Sequence, residues 1–264
     1  MRALLLALLL APALARESDP GAPAAAAPLV ALRTLEPGAV VVTQTRPWSA
    51  NALLVETAGG DLVLVDALWT PAAMRELLAW VDKRYPKRAL LALNTHFHPD
   101  RVGGNSVLRE RKVPLYASDA TVRLMKSRGR AVQGGLAGTV DDEALRAELL
   151  AAPQVPADGV FSLERGLKLT VGGDAVEIAF HGAGHSPDNA VVWFPRRKLL
   201  FGGCLVLPTG RVGNASDADW SSWRTAVAAL KAYPAKWVVP GHGYSYDPAL
   251  LDSTLATLEK RAAP

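Results

Sequence analysis

The chain has 264 residues, half of them hydrophobic, with a formal net charge of +4 and a single cysteine. That length suits one large domain or two small ones, and the apolar content is ample for a core. The lone cysteine excludes an intrachain disulfide, and basic residues placed in short pairs such as Arg196-Arg197 and Arg111-Lys112 read as solvated faces, so no nucleic-acid partner is expected.

The chain starts with Arg2, then an apolar run from Ala3 to Leu14 that ends in Ala13-Leu14-Ala15. A positive start, a short apolar core and a small-x-small end predict a secretory signal peptide over residues 1–15, with cleavage after Ala15 and export to the periplasm. The competing reading, a buried strand, is disfavoured by Pro12. No cysteine stands at the cut and no later stretch is apolar enough to span a bilayer, so no membrane anchor is expected. Residues 16–28, rich in alanine and proline, read as a flexible linker.

Short β-rich runs follow at Leu29–Leu35, Val40–Thr45, Ala52–Glu56 and Leu62–Asp66, with Gly59-Gly60 turning between the last two. Pro71 opens a helix whose apolar positions Met74, Leu77, Leu78 and Val81 share one face. The run Ala89–Leu93 then leads into Asn94-Thr95-His96-Phe97-His98-Pro99-Asp100-Arg101-Val102-Gly103-Gly104. On extended backbone, residues two apart point the same way, so His96, His98 and Asp100 can converge on a metal ion. Helices are expected at Gly104–Lys112, Asp119–Arg128 and Asp141–Ala151. A second half echoes the first, with strands at Phe161–Leu163, Leu167–Val171, Ala175–Phe180, Ala190–Phe194 and Lys198–Phe201, a helix from Asp219 to Tyr233, a strand at Trp237–Val239 and a helix from Pro248 to Arg261.

The remaining metal-capable side chains repeat one grammar of β-rich run, glycine, then donor. His185 follows Gly182-Ala183-Gly184, Cys204 follows Gly202-Gly203, and His242 follows Gly241. Imidazole and thiolate suit zinc, and three protein ligands per ion leave a position open for water. His181 fits no such pattern and reads as a surface residue or a support to its neighbours.

From about Val40 onward, these motifs resemble the metallo-β-lactamases, in particular the subclass with a three-histidine zinc site and an Asp-Cys-His zinc site. Most relatives of other activity within that superfamily carry histidine directly after the motif aspartate and lack the cysteine; here Arg101 and Cys204 stand in those places. The resemblance implies two Zn2+ per chain, one on His96, His98 and His185 and the other on Asp100, Cys204 and His242. It implies an α/β fold, the four-layered αββα sandwich, with residues 29–264 forming one domain of two pseudo-repeated halves and the zinc site at their shared edge. It further implies a monomeric, secreted β-lactamase that opens the lactam amide of penicillins, cephalosporins and carbapenems by zinc-bound hydroxide, conferring antibiotic resistance.

Site roles follow from the same resemblance. Asp100 binds the second ion and orients the nucleophile, while Asn214 lies near the lactam carbonyl. A lysine found three residues after the cysteine in many relatives is Leu207 here, which cannot pair with an anion. Arg211, seven residues after Cys204, takes over the substrate carboxylate, a task its guanidinium fork suits. Thr45–Ala50 matches a flap over the site, with Trp48 at its tip and Trp69 as a wall. Asp66 and Arg101 are expected to steady the ligands. The competing readings are a zinc hydrolase of the same fold acting on an ester, lactone or phosphoester, and a non-catalytic periplasmic zinc-binding protein.

Overall fold

The computed structural model describes residues 27–208 and 210–262, so the expected signal segment and most of the expected linker lie outside the described residues. The first sheet runs in spatial order β1 (Val30–Glu36), β2 (Ala39–Gln44), β3 (Ala50–Glu56), β4 (Leu62–Val65), β5 (Leu90–Leu93), β6 (Leu115–Ser118) and β7 (Gly159–Phe161). Neighbours from β1 to β4 pair antiparallel; from β4 to β7 they pair parallel and need helical crossovers. These are α1 (Pro71–Arg84), α2 (Pro99–Val102) with α3 (Asn105–Glu110), and then α4 (Asp119–Leu124), α5 (Arg130–Ala137) and α6 (Glu143–Ala151). The second sheet holds β8 (Leu167–Val171), β9 (Asp174–Phe180), β10 (Ala190–Phe194), β11 (Leu199–Gly203) and β12 (Trp237–Pro240), again antiparallel except for β11 beside β12. Helices α7 (Trp223–Ala229) and α8 (Leu250–Ala262) accompany it.

The period-two alternation of the strands sorts the core into layers. Val40, Val42, Leu54 and Leu64 pack outward against Met74, Leu77 and Leu78 of α1. Their neighbours Val41, Leu53, Val55 and Val63 pack inward, in one cluster with Val176, Ile178, Val192 and Phe201 of the second sheet. On that sheet's far side, Val191, Trp193, Leu200 and Val238 meet Trp223, Val227 and Leu251 of α7 and α8. The order is helix, sheet, sheet, helix, the four-layered αββα sandwich. Because both faces of each sheet are covered, the inner strands read as nearly continuous apolar runs.

Three elements differ from the sequence expectation. Strand β6 went unread, because Pro114 and a length of four residues hide it between two helical patterns. The segment expected as a strand over Phe161–Leu163 in the second half is β7, shifted to Gly159–Phe161 and paired parallel with β6 in the first sheet. The helix expected to end at Arg128 passes through a π-turn at Met125–Gly129 and continues as α5. Glycines at 129, 134, 135 and 138 give α5 poor intrinsic propensity. Tertiary contacts hold it instead: buried Gln133 donates to Leu149 O and, at 2.9 Å, to Ala152 O at the end of α6.

Candidate metal centre

The loops after β4, β5, β9, β11 and β12 gather at one edge of the sandwich. They carry Asp66, then His96, His98 and Asp100, then His185, Cys204 and His242. The β5 loop is held tightly by its glycines. A Cβ on Gly103 would lie 1.9 Å from Trp69 O, and one on Gly104 would lie 2.4 Å from Ala67 O. Both residues have ordinary negative φ, so close approach of the 66–69 backbone, rather than a special turn, requires glycine here.

The extended-backbone argument for the motif holds only in part. His98 is extended, but Pro99 starts the helical turn α2, and Asp100 sits in its first turn. The donors therefore separate into two groups, His96–His98–His185 and Asp100–Cys204–His242, with the ligand atoms of each within 4.8 Å of one another. The three imidazoles stand nearly edge to face, with ring centroids 4.8 Å apart for His96–His98 and for His98–His185, and 5.3 Å apart for His96–His185. In the second group, Cys204 Sγ lies 3.3 Å from His242 Nε2 and 3.9 Å from Asp100 Oδ2.

The donor chemistry fits cations. His96 Nε2 is buried and has no hydrogen-bond partner, a costly state for a polar atom unless something electropositive occupies the space it faces. His98 Nδ1 and His185 Nε2 face each other at 3.0 Å. Burial first, then the neighbouring imidazoles, holds His96 well below the usual histidine range; burial, with His98, does the same for His185. Burial and the Arg101 guanidinium lower His242. These rings are therefore neutral, the form that binds metal. Burial pushes the Cys204 thiol up, and a bound metal ion would reverse that by taking the thiolate.

Around the donors lies a shell of polar partners. Arg101 is fully buried; its Nε donates to Asp100 Oδ2 at 2.9 Å, its Nη1 to Asn51 O at 2.6 Å and its Nη2 to Gly241 O at 2.8 Å. Burial alone would raise the Asp100 carboxyl, but the Arg101 guanidinium beside it outweighs that and brings it to about 2. Asp66, at φ 67°, accepts from Thr95 N at 2.8 Å, and the Thr95 hydroxyl in turn lies 3.2 Å from His96 Nδ1. For Asp66, burial prevails over Arg101, 3.4 Å away, and raises the carboxyl to about 7. His242 Nδ1 bonds Ser49 O at the base of the 45–49 loop.

Sequence reasoning missed several of these partners. His98 Nε2 meets Asp217 Oδ2 at 2.9 Å, and Arg128 of the π-turn bonds the other carboxylate oxygen. Asp217 lies far from the motif in sequence, and nothing in its neighbourhood marks it. Arg128 belongs to the turn that was read as a helix end. His181 lies apart from both groups, with Nε2 2.9 Å from Tyr233 OH.

A cavity of about 740 Å³ opens over the donors and is lined by His98, Asp100, His185, Cys204 and His242. Arg211 and Asn214 line it from the exposed loop after β11, and Trp48 and Trp69 line it from the first half of the chain. Asn214 Oδ1 accepts Ser216 N at 3.1 Å in a local turn, leaving its Nδ2 group as the available donor. Leu207 is 5% exposed within the third apolar layer and offers no charge. Trp48 is 40% exposed; its ring lies 5.6 Å from that of buried Trp69, whose indole N–H donates to Trp48 O at 3.0 Å.

A sequence profile described as the metallo-beta-lactamase superfamily matches residues 45–242. The metallo-beta-lactamase type 2 of Bacillus sp. (strain 170) is 34% identical over 214 residues, 80% of this chain and 73% of that protein. A metallo-beta-lactamase type 2 of Pseudomonas aeruginosa is 30% identical over 238 residues, 87% and 85% of the two chains. Among solved structures, a metallo-beta-lactamase from Pontibacter korlensis superposes with a TM-score of 0.72 at 29% identity, covering 87% of this chain and 99% of that one. The FIM-1 metallo-beta-lactamase of Pseudomonas aeruginosa in its mono-zinc form gives 0.69 at 26% identity, over 89% and 97%.

Proposed function

The chain belongs to the metallo-β-lactamase superfamily, and from that premise we propose that it is a zinc-dependent β-lactamase hydrolysing penicillins, cephalosporins and carbapenems. The observation that carries this reading is the pair of donor triads opening into a cavity that Arg211 and Asn214 also line. His96, His98 and His185 would hold one zinc ion, and Asp100, Cys204 and His242 a second. Bound there, zinc supplies Lewis acidity and water of lowered pKa, the nucleophile that an amide carbonyl needs at neutral pH.

The chain's own residues supply binding and order. Asp217, fixed by Arg128, accepts the His98 Nε2 proton and so sets the tautomer that leaves Nδ1 free for a cation. Arg101 keeps Asp100 ionised, so this carboxylate can both ligate and orient the attacking water. Asn214 Nδ2 donates to the lactam carbonyl as charge develops on its oxygen. Arg211 pairs with the substrate carboxylate and fixes the ring over the donors. Ser186 is not a nucleophile in this scheme, since its hydroxyl already donates to buried Asp188 at 2.9 Å.

No helix among the described residues is long and apolar enough to cross a membrane. The Arg2–Ala15 segment supports export to the periplasm, and mass spectrometry of the exported protein should find a chain that begins after Ala15. The deciding experiment is an assay of purified protein on one member of each lactam class, with and without chelator. Turnover that chelator abolishes and zinc restores is expected; turnover of esters or lactones alone would overturn the reading.

A further inference from the structure

One wall of the cavity is built from a helix that the sequence did not announce. Val132, Gly135, Leu136 and Thr139 of α5 and the turn after it line the cavity together with Trp48 and Trp69. The four positions are spaced i, i+3, i+4, i+7, so they form one continuous helical face. None of them is buried, whereas Gln133 and Ala137 on the other side of the helix are. A Cβ added at Gly135 would meet no atom within 4 Å, so the wall has open space before it.

This face is rigidly backed. Ala137 packs with Trp69, Val140 and Leu149, and Leu136 packs against that cluster. Gln133 ties α5 to the end of α6, and Trp69 Nε1 fixes the backbone of Trp48 at 3.0 Å. The wall thus combines aliphatic side chains with two indoles, whereas Arg211 and Asn214 line the cavity from the second half of the chain. A substrate whose carboxylate meets Arg211 and whose amide carbonyl lies over the donors leaves its remaining substituent to the apolar lining that α5, Trp48 and Trp69 supply.

We propose that the α5 face formed by Val132, Gly135 and Leu136 is the specificity-determining wall of a subsite for the apolar, aromatic acyl substituent of the substrate. It rests on the β-lactamase reading above. Contact with such a substituent is binding that ground and transition states share, so it acts on KM more than on kcat. Apolar surface with no polar partner to offer favours a phenyl ring over a short or charged group.

The test compares benzylpenicillin, which carries a phenylacetyl group, with 6-aminopenicillanic acid, which carries none. Leu136→Ala removes apolar wall, and Gly135→Asn places a polar group in open space on a helix that gains propensity from it. Each should raise KM for benzylpenicillin about tenfold, leave kcat within about twofold, and leave 6-aminopenicillanic acid unaffected; Leu136→Met should restore most of the parent value. Quenching of tryptophan fluorescence by the ring-opened phenylacetyl product reads the same difference without turnover. If the parent hydrolyses neither compound, the β-lactamase reading fails and the quenching titration still decides the subsite. Equal effects of both substitutions on compounds with and without the phenylacetyl group, or no effect on either, overturn the proposal.

Discussion

His98 Nε2 lies 2.9 Å from Asp217 Oδ2, and Arg128 holds the other oxygen of the same carboxylate. The bond from His98, together with Arg128, lowers the Asp217 carboxyl against its burial, so it stays an acceptor at neutral pH. Asp217→Asn keeps the shape and removes the charge. Its affinity for metal at the three-histidine group should fall about ten- to a hundredfold, as read by competition with a chromophoric chelator. Unchanged affinity would mean that His98 is oriented by packing alone.

Arg101 is fully buried between Asp66 and Asp100. Removing one partner from such a group leaves the others uncompensated, at a cost of about 3–5 kcal/mol. Arg101→Met should therefore lower the melting temperature of the metal-free protein by on the order of 10 °C. Differential scanning calorimetry checks this; a shift within 2 °C or so of the parent, on that same scaling, would show that the acids simply take up protons.

The metal count separates the two donor groups. Cys204→Ser should reduce occupancy chiefly at the Asp100–Cys204–His242 group, because a hydroxyl is a far poorer zinc ligand than thiolate. His98→Ala should reduce it at the three-histidine group. Elemental analysis of the parent should find two zinc ions per chain and of each variant close to one; one ion in all three would count against a dinuclear centre.

His185, Cys204 and His242 were legible because each follows a β-rich run and a glycine, and His96, His98 and Asp100 because they alternate just after an apolar run, local patterns that survive without the fold. The layers were legible for a similar reason, since Val40–Val42 and Leu62–Val65 are apolar at every position, as strands covered on both faces must be. What remained hidden depends on long-range contact. Strand β6 is four residues long and gains its identity from its neighbours. Helix α5 is glycine-rich and is held by Gln133 and by packing on α6, so propensity argued against it. Asp217 reaches His98 across 119 residues. The extended-strand rationale grouped Asp100 with His96 and His98, whereas the helical turn begun by Pro99 sends it to the other donor group.

Glu36 ties the edge of the first sheet to the second, accepting from Trp237 Nε1, Lys236 Nζ and Arg197 Nη1, each at 3.2 Å. Burial works to raise its carboxyl, but these bonds prevail and hold it below its ordinary value of 4.5. A depressed acid contributes stability that is present above its unfolded pKa and is lost as pH falls through the folded one. Glu36→Gln should thus cost about 1–2 kcal/mol near pH 6, and the gap to the parent should narrow once the pH is taken below 4.5 and through the lower folded value. Urea unfolding at both pH values measures it; a gap that persists in acid would assign the effect to shape rather than charge.

Arg211 is the remaining test of how substrate is held. Leu207 is packed into the apolar layer beneath the loop, so no cation can be offered from that position without disturbing the core. Arg211 instead lines the cavity from an exposed loop, with Asn214 three residues on. Exposure limits what the pair is worth. A charged hydrogen bond contributes about 1.5–3 kcal/mol when sheltered and a surface ion pair about 0.2–1 kcal/mol. A carboxylate bound at this cavity rim falls between, near 1 kcal/mol, or roughly fivefold in affinity. Because the pair forms equally with substrate and transition state, Arg211→Ala should raise KM by that factor and leave kcat nearly unchanged. Added salt should narrow the difference between variant and parent, since an exposed pair is screened over about 10 Å at 0.1 M. If Arg211→Ala lowers kcat while KM stays fixed, the guanidinium acts on the reacting carbonyl, and the carboxylate is held by another group on the cavity wall.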